Sequence, residues 1–371
     1  MALAGFLLRF SRLQWLTRTP GAVALKTKPT PTRSGSSADP PAPGPHQKKQ
    51  ATKEPEKHFI CRLGDEGDLE GITELFKSHE YGPKDVEWLR WKYFRNPDGK
   101  ANIFLAEDQN GKIIALRAHM PRLFTSEKTG VFLARQSVDL FVAKASRGSG
   151  VYSAVWRLCR TGNYPIVSFP NKIAKQLTWN MPGDVRIYIP IDEWWYPLAI
   201  GGMFRSRVLK PVAPAANAVS RLYSRLWLGR KTHGLHMKPV RSFERSYSLD
   251  HSFLQGVRSA EYLNWRFIDN PVRRYSVYEF FNHENTSLGY CVYYIDKTAA
   301  QVYDLVISSH TRACLRLLSD HFRERQISHL IFKSIGFRMR KYGFIRIGSP
   351  GFMDTLNTPS GTWLVTIGDK D

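Results

Sequence analysis

The sequence predicts an α+β fold made of two tandem copies, each a mixed central β-sheet flanked by helices. Three observations predict it. Glu87-Trp88-Leu89-Arg90-Trp91-Lys92-Tyr93-Phe94-Arg95-Asn96-Pro97 lines up with Glu261-Tyr262-Leu263-Asn264-Trp265-Arg266-Phe267-Ile268-Asp269-Asn270-Pro271, and Val138-Asp139-Leu140-Phe141-Val142 lines up with Tyr303-Asp304-Leu305-Val306-Ile307. Two matches in the same order make a duplication the best account. Short strand-like runs alternate with segments of helical period, separated by Gly, Asn and Pro clusters. The chain has 371 residues, 42% hydrophobic and 23% charged, which suits about two globular domains.

The elements of the first copy follow in order. Phe59 to Leu63 reads as a strand, and Gly64-Asp65-Glu66-Gly67-Asp68 supplies a turn and capping acids. Leu69, Ile72, Leu75 and Phe76 share one helix face. A Trp-rich helix ends at Asn96-Pro97-Asp98-Gly99. Ile103 to Glu107 and Lys112 to Ala118 form a strand pair across Asn110-Gly111. Val131 to Val142 is a further strand, Gly150 to Cys159 a helix, and Pro165 to Phe169 a buried strand. The boundaries expected are a first copy at 58–190, a connecting segment at 191–245 and a second copy at 246–371.

Residues 1–57 stand outside this pattern. They hold ten Lys/Arg against three acids, and Leu3, Phe6, Leu7, Phe10, Leu13 and Leu16 alternate with Arg9, Arg12 and Arg18. This resembles a mitochondrial transit peptide followed by a Pro/Ser/Lys linker; a dispensable tail or a misassigned start of translation are the other readings. The cytoplasm is the expected location, with the mitochondrial matrix as the alternative if 1–38 is such a signal.

The net charge is +22, of which the tail supplies +7. The basic remainder suits a polyanionic partner (a nucleic acid, a phosphate-rich cofactor or an anionic membrane surface) or simply a soluble surface. No apolar run is long enough for a transmembrane helix. Cys61, Cys159, Cys291 and Cys314 lie far apart, so zinc-ribbon and disulfide-scaffold readings fail and a reducing compartment fits. No metal site is expected.

One turn carries the chemistry. After the strand Asp139-Leu140-Phe141-Val142, Arg147-Gly148-Ser149-Gly150-Val151-Tyr152 opens a helix. Glycines let the backbone approach a ligand, and the N–H groups of a helix start favour an anion such as a pyrophosphate. Arg147 adds a cation. The same residues also suit a plain turn. No Gly-Lys-Ser/Thr follows, so this is not a P-loop, and the third glycine of a dinucleotide fingerprint is missing.

With these residues in view, the sequence resembles the GNAT superfamily of N-acetyltransferases. Arg147, Gly150 and Tyr152 occupy the positions of its Arg/Gln-x-x-Gly-x-Gly/Ala loop, Tyr152 departing from it. Asn171, Ala174 and Leu177 fit its Asn-x-x-Ala-x-x-Leu helix. Together with Trp91-Lys92-Tyr93, Asn96-Pro97 and Ser168-Phe169-Pro170-Asn171, the set resembles a bacterial tandem branch, over about residues 58–371.

The resemblance implies transfer of an acetyl group from acetyl-CoA, as co-substrate, to an amine of a small-molecule or sugar acceptor by direct attack. Leu140, Phe141, Val142, Arg147, Gly148, Ser149, Gly150, Val151, Tyr152 and Asn171 would hold the acyl-CoA. Asn171 could equally cap its own helix. Asp139 and Glu107 are the candidate bases, although Asp304 repeats Asp139 and points to a structural role. The family's acid, a Tyr after the helix Leu, is replaced by Thr178, which leaves Tyr152 or Tyr164 to serve. His119 reads as a surface or internally satisfied histidine.

The second copy has Ser308-Ser309-His310-Thr311-Arg312-Ala313 where the first has its glycines, so loss of acyl-CoA binding is expected there. Between the copies, Val219, Leu222, Leu226 and Trp227 recur at helical spacing beside Arg221, Arg225 and Arg230. This stripe is expected to pack on the domain junction, a membrane-surface helix being the alternative. The alternatives for function are a non-catalytic acyl-CoA or nucleic-acid binding protein, and a tandem aminoacyl transferase using charged tRNA.

Overall fold

The computed structural model describes residues 59–78, 85–160, 164–171, 174–176, 186–204, 210–230, 232 and 234–369. The expected tail at 1–57, with Leu177 and Thr178, lies outside the described residues.

Local sequence fixes the first elements. β1 (Phe59–Gly64) ends at a reciprocal cap, in which Asp65 accepts from Gly67 N and Asp68 accepts from Asp65 N, each at 2.8 Å. α1 (Leu69–Lys77) follows and buries Leu69, Ile72, Leu75 and Phe76. Asp85 accepts from Trp88 N and starts α2 (Val86–Phe94). β2 (Asn102–Asp108), β3 (Ile113–Ser126) and β4 (Gly130–Val142) form an antiparallel meander. α3 (Val151–Cys159), β5 (Ile166–Ser168) and β6 (Ile187–Pro197) complete the first half.

α4 (Ala213–Leu228) and β7 (His236–Pro239) lie between the halves in sequence. The second half runs β8 (Gln255–Gly256), α5 (Ala260–Leu263, continued by a wider turn to Ile268), β9 (Ser276–Phe281), β10 (Ser287–Asp296) and β11 (Ala299–Ile307). It ends with α6 (Thr311–Glu324), β12 (His329–Ile335), β13 (Ile345–Leu356) and β14 (Val365–Thr366).

The described strands form one mixed sheet, in the order β1-β2-β3-β4-β5-β13-β6-β12-β11-β10-β9-β7, with β8 on β3 and β14 on β12. The expected mixed sheet flanked by helices is present, and it runs on continuously through both halves. β13, from the end of the second half, pairs with β5 of the first. β6, from the first half, pairs with β12 of the second, and β6 and β13 pair with each other. The exchange covers the strand edge that each half would otherwise leave open.

The repeated Trp residues sit at the junction. Trp91 Nε1–H donates to the Trp265 carbonyl at 3.0 Å, and Trp265 Nε1–H donates to the Trp91 carbonyl at the same distance. Their rings stack with centroids 4.9 Å apart. Two matched residues bonding reciprocally is what a local two-fold relation between the halves requires. Beside them, Asp369 takes Arg122 Nη at 3.2 Å and Arg258 Nη at 2.9 Å. Burial alone would raise the Asp369 carboxyl; Arg258 and Arg122 outweigh it and hold the group below its ordinary value.

The segment between the copies corrects one expectation. α4 does pack on the body, but through Ser220, Ser224 and Leu228, while Leu222, Leu226 and Trp227 are exposed. Tyr196 Oη donates to Ser224 Oγ at 2.9 Å and Tyr223 Oη donates to the Gly343 carbonyl at 2.6 Å. Small residues on the inner face let the helix lie close, so hydrogen bonds rather than its apolar stripe fix it.

Candidate active site

The site is built where β4 leaves β5. β4 pairs with β5 in parallel only from Arg135 to Ser137, opposite Ile166 to Ser168, and this pairing ends five residues before β4 does. A bulge stands at the parting point: Ala118 faces Asp139 and His119 faces Ser137, so Val138 is the extra residue. A bulge bends and twists its strand, which carries the end of β4 away from β5. Leu140, Phe141 and Val142 lie beyond it.

The strand then delivers the chain to the glycine turn. Gly148 has φ +82° and Gly150 has φ +84°, backbone that favours glycine. A Cβ placed on Gly148 would meet nothing within 4 Å, so that face of the turn is open. Gly150 caps α3 without any side-chain hydrogen bond. Ser149 Oγ donates to the Ser146 carbonyl at 2.7 Å and is 3.4 Å from Val151 N. Arg147 is exposed and makes no ion pair among the described residues. An open Gly148, a helix start with only a long bond from Val151 N to Ser149 Oγ, and a spare guanidinium fit a pyrophosphate.

The three candidate catalytic groups are not brought together equally. Asp139 is buried; Lys92 Nζ lies 2.7 Å and Tyr93 Oη 2.6 Å from its Oδ2, both as donors. Glu107 sits on β2, two strands from β4, and takes Arg62 Nη2 at 2.5 Å; Arg62 also holds Asp68. Tyr152 is different. Its buried hydroxyl has Arg117 beside it but no hydrogen bond of good geometry. Burial pushes the phenol up, which Arg117 partly offsets. Asn171 is exposed, and its Oδ1 accepts from Ala174 N at 2.8 Å, as a helix cap does. The Tyr164 hydroxyl donates to the Cys159 carbonyl.

Sequence reasoning missed a polar cluster under α3. Arg117 is 3% exposed and has no carboxylate partner among the described residues; its Nε donates to His119 Nε2 at 2.9 Å, and its guanidinium lies 3.9 Å from the Trp156 ring centre. His119 is fully buried, not at the surface, and its Nδ1 has no partner, nor does Trp156 Nε1. Burial, then the nearby Arg117, Arg135 and Arg186, hold His119 well below its ordinary value, so the ring is neutral. The hint in the sequence was the pair Arg117 and His119, two apart on one strand face, at a place where an apolar residue is usual.

The second half repeats the frame. β11 pairs with β12 only from Ala299 to Val302. Val292 faces Asp304 and Tyr293 faces Val302, so Tyr303 is the bulge residue, again directly before the Asp. Asp304 is buried and takes Arg258 at 3.0 Å, Tyr290 at 2.6 Å and Thr366 at 2.8 Å. The turn, however, is capped by His310 at φ +54°. Gly150 stands eleven residues after Asp139, His310 only six after Asp304. An open cavity of about 660 Å³ borders this second turn. Among the described residues no cluster of His, Cys, Asp or Glu is placed to hold a metal ion, and no helix is long and apolar enough to cross a membrane.

No protein-family model matches the chain, and no curated protein matches it in sequence. Solved structures do match in shape. A conserved protein of Enterococcus faecalis described as a probable N-acyltransferase aligns with TM-score 0.54 and 10% identity, over 80% of this chain and 71% of its own. A GCN5-related N-acetyltransferase of Anabaena variabilis aligns with TM-score 0.53 and 12% identity, over 80% and 72%. The N-myristoyltransferase of Saccharomyces cerevisiae, solved with bound myristoyl-CoA and inhibitors, aligns with TM-score 0.52 and 12% identity, over 85% and 83%. At these identities the likeness speaks for architecture: this chain has the fold of the GNAT superfamily.

Proposed function

We propose that the chain transfers an acyl group from an acyl-CoA to an amine, and that it does so in the N-terminal half. The observation that carries this is the parting of β4 from β5 at the Val138 bulge, in line with an open glycine turn. The Arg147–Tyr152 turn binds the pyrophosphate through N–H groups and the Arg147 cation. The Leu140–Val142 edge lines the gap for the pantetheine, and a backbone N–H there polarises the thioester carbonyl. Acetyl-CoA is the acyl donor we favour, and a small-molecule or sugar amine the acceptor.

The acceptor nitrogen attacks the thioester carbon. An N–C bond forms, the C–S bond breaks, and the thiolate takes a proton. Tyr152 is the donor of that proton, since its raised phenol stays protonated and its hydroxyl is the one candidate without a fixed bond. The amine gives up its proton to water, and the Tyr152 phenolate regains a proton from water, which restores the chain. Asp139 positions β4, because its carboxylate is held by Lys92 and Tyr93 and its role recurs at Asp304. Glu107, tied to Arg62, keeps β1 on β2.

Calorimetry with acetyl-CoA and longer acyl-CoAs, followed by a thiol-release assay over an amine library, tests the reading. Binding with acceptor-dependent thiol release supports it, and Tyr152→Phe should lower kcat at unchanged acyl-CoA affinity. Binding without release for any amine would favour a non-catalytic acyl-CoA protein. Binding of RNA that weakens steeply with salt, with no acyl-CoA binding, would contradict the proposal.

A further inference from the structure

The outer face of α4 is built unlike a soluble surface helix. Val212, Ala215, Ala218, Leu222 and Leu226 follow one another at intervals of three or four residues, and all are exposed, Leu226 at 73% and Leu222 at 54%. Trp227 joins them at 41%. This is an apolar stripe at helix period, turned to solvent. It is also rigid. The inner face is fixed by the Tyr196–Ser224 and Tyr223–Gly343 bonds, by the Asn217 Oδ1 that accepts from Gly201 N at 2.8 Å, and by Trp227 lying against Gly343.

The charge around the stripe has one sign. From Trp194 to Phe243 the sequence has no Asp or Glu. Arg221 and Arg225 flank the stripe and are exposed, and among the described residues neither makes an ion pair. Several cations elsewhere do have acids beside them: Arg90 has Glu66 and Glu87, Arg316 and Arg323 have Asp320, and Arg346 has Asp192. At the C-terminal end of α4 the 660 Å³ cavity opens, lined by Leu228, Arg230, His310, Arg312, Lys341 and Tyr342. Its three cations also lack carboxylate partners among the described residues.

We propose that α4 and the adjoining cavity form a docking site for an anionic phospholipid surface. The stripe enters the boundary of the acyl region, Arg221 and Arg225 meet the headgroups, and Arg230, Arg312 and Lys341 take a lipid phosphate. An anionic bilayer is the occupant that suits both a convex apolar stripe and cations without acids at its C-terminal end, where Arg221, Arg225 and the cavity cations gather. The inference stands independently of the acyl-transfer reading.

The test uses the full chain with vesicles of phosphatidylcholine alone and of phosphatidylcholine mixed with phosphatidylserine. Binding to the mixed vesicles only, weakened by salt, is expected. Arg221→Gln with Arg225→Gln should weaken it roughly twentyfold, from about fivefold per cation. Leu222→Gln with Leu226→Gln should weaken it more than about tenfold through lost apolar burial. An environment-sensitive dye on Ala218→Cys, in a Cys61→Ser background, should shift to the blue with mixed vesicles. An unshifted dye, or binding that survives both double substitutions, would overturn the proposal, since the contact would then lie elsewhere on the chain. A chain that dimerises in solution through Leu222 and Leu226 and ignores vesicles would overturn it too, in favour of a second copy. Inorganic phosphate that protects the cavity cations without any vesicle binding would likewise count against a lipid.

Discussion

The two halves keep the same frame and differ at one turn. Each has a strand with a bulge directly before a buried Asp, and in each that strand leaves its parallel neighbour after three or four pairs. Each Asp is held by a cation and a Tyr, though from different places: Lys92 and Tyr93 in one, Arg258 and Tyr290 in the other. Phe267, which matches Tyr93, has no hydroxyl to give. The Asp is therefore kept by rebuilding its partners, as expected of a group that fixes a bulge. The turn is not kept. Two glycines at positive φ in eleven residues stand against one His-capped step in six. A frame can be duplicated for packing alone; the glycine turn is what the proposed acyl-CoA would require.

The largest test of this difference is Gly150→Val. It removes the left-handed cap and blocks the approach of a phosphate, so acyl-CoA affinity should fall at least about a hundredfold by calorimetry. A variant that folds and binds as the wild type does would erase the functional asymmetry.

Next come the two buried acids. Asp304→Asn and Asp139→Asn each take a carboxylate away from a buried cation, Arg258 keeping Asp369, and each should lower stability by about 3 kcal/mol in urea unfolding. Similar losses would confirm that the halves use the Asp alike. Unchanged stability with abolished turnover in Asp139→Asn would instead make it the base.

A third test uses pH. His119 titrates well below its ordinary value in the folded chain, because of burial and the arginines around it. As pH falls through about 6.5, the unfolded chain takes up this proton and the folded chain does not. Stability present above that pH is thus lost progressively below it. His321 of the second half, held at about 4 by burial and Arg325, loses stability in the same direction. His119→Phe should flatten the acid side of the profile, and a profile as steep as before would remove His119 from the account.

The smallest effect is expected at His310. A β-carbon at φ +54° is strained, so His310→Gly should gain about 0.5–1 kcal/mol in thermal unfolding without creating acyl-CoA binding. Gain of binding would show that the cap residue alone separates the halves.

Much of this was legible in sequence. The repeat, the order of strands and helices along the chain, the capping acids at Asp65 and Asp68 and the Gly148–Gly150 turn all follow from local spacing and backbone chemistry. What was not legible depends on distant pairing. Nothing in β6 or β13 announces that they change partners, since a fully buried strand looks the same beside either neighbour. The Val138 bulge has no sequence mark of its own. The stripe of α4 was readable as a stripe, but which face would be buried was decided by Ser220, Ser224 and the Tyr hydroxyls that reach the helix. Arg117 was overlooked, and His119 was read as a surface or internally satisfied histidine, because a polar pair in a strand reads as a solvent-facing one.

The account's central claim is that only the first turn binds acyl-CoA, and a titration measures it directly. Calorimetry of the full chain with acetyl-CoA should give one molecule per chain. Arg147→Ala should weaken binding by about 1–2 kcal/mol, as for a charge-assisted contact at a wet site, and Arg312→Ala should leave it unchanged. A stoichiometry near two, or equal losses in Arg147→Ala and Arg312→Ala, would show that both turns bind and would contradict the division of labour between the halves.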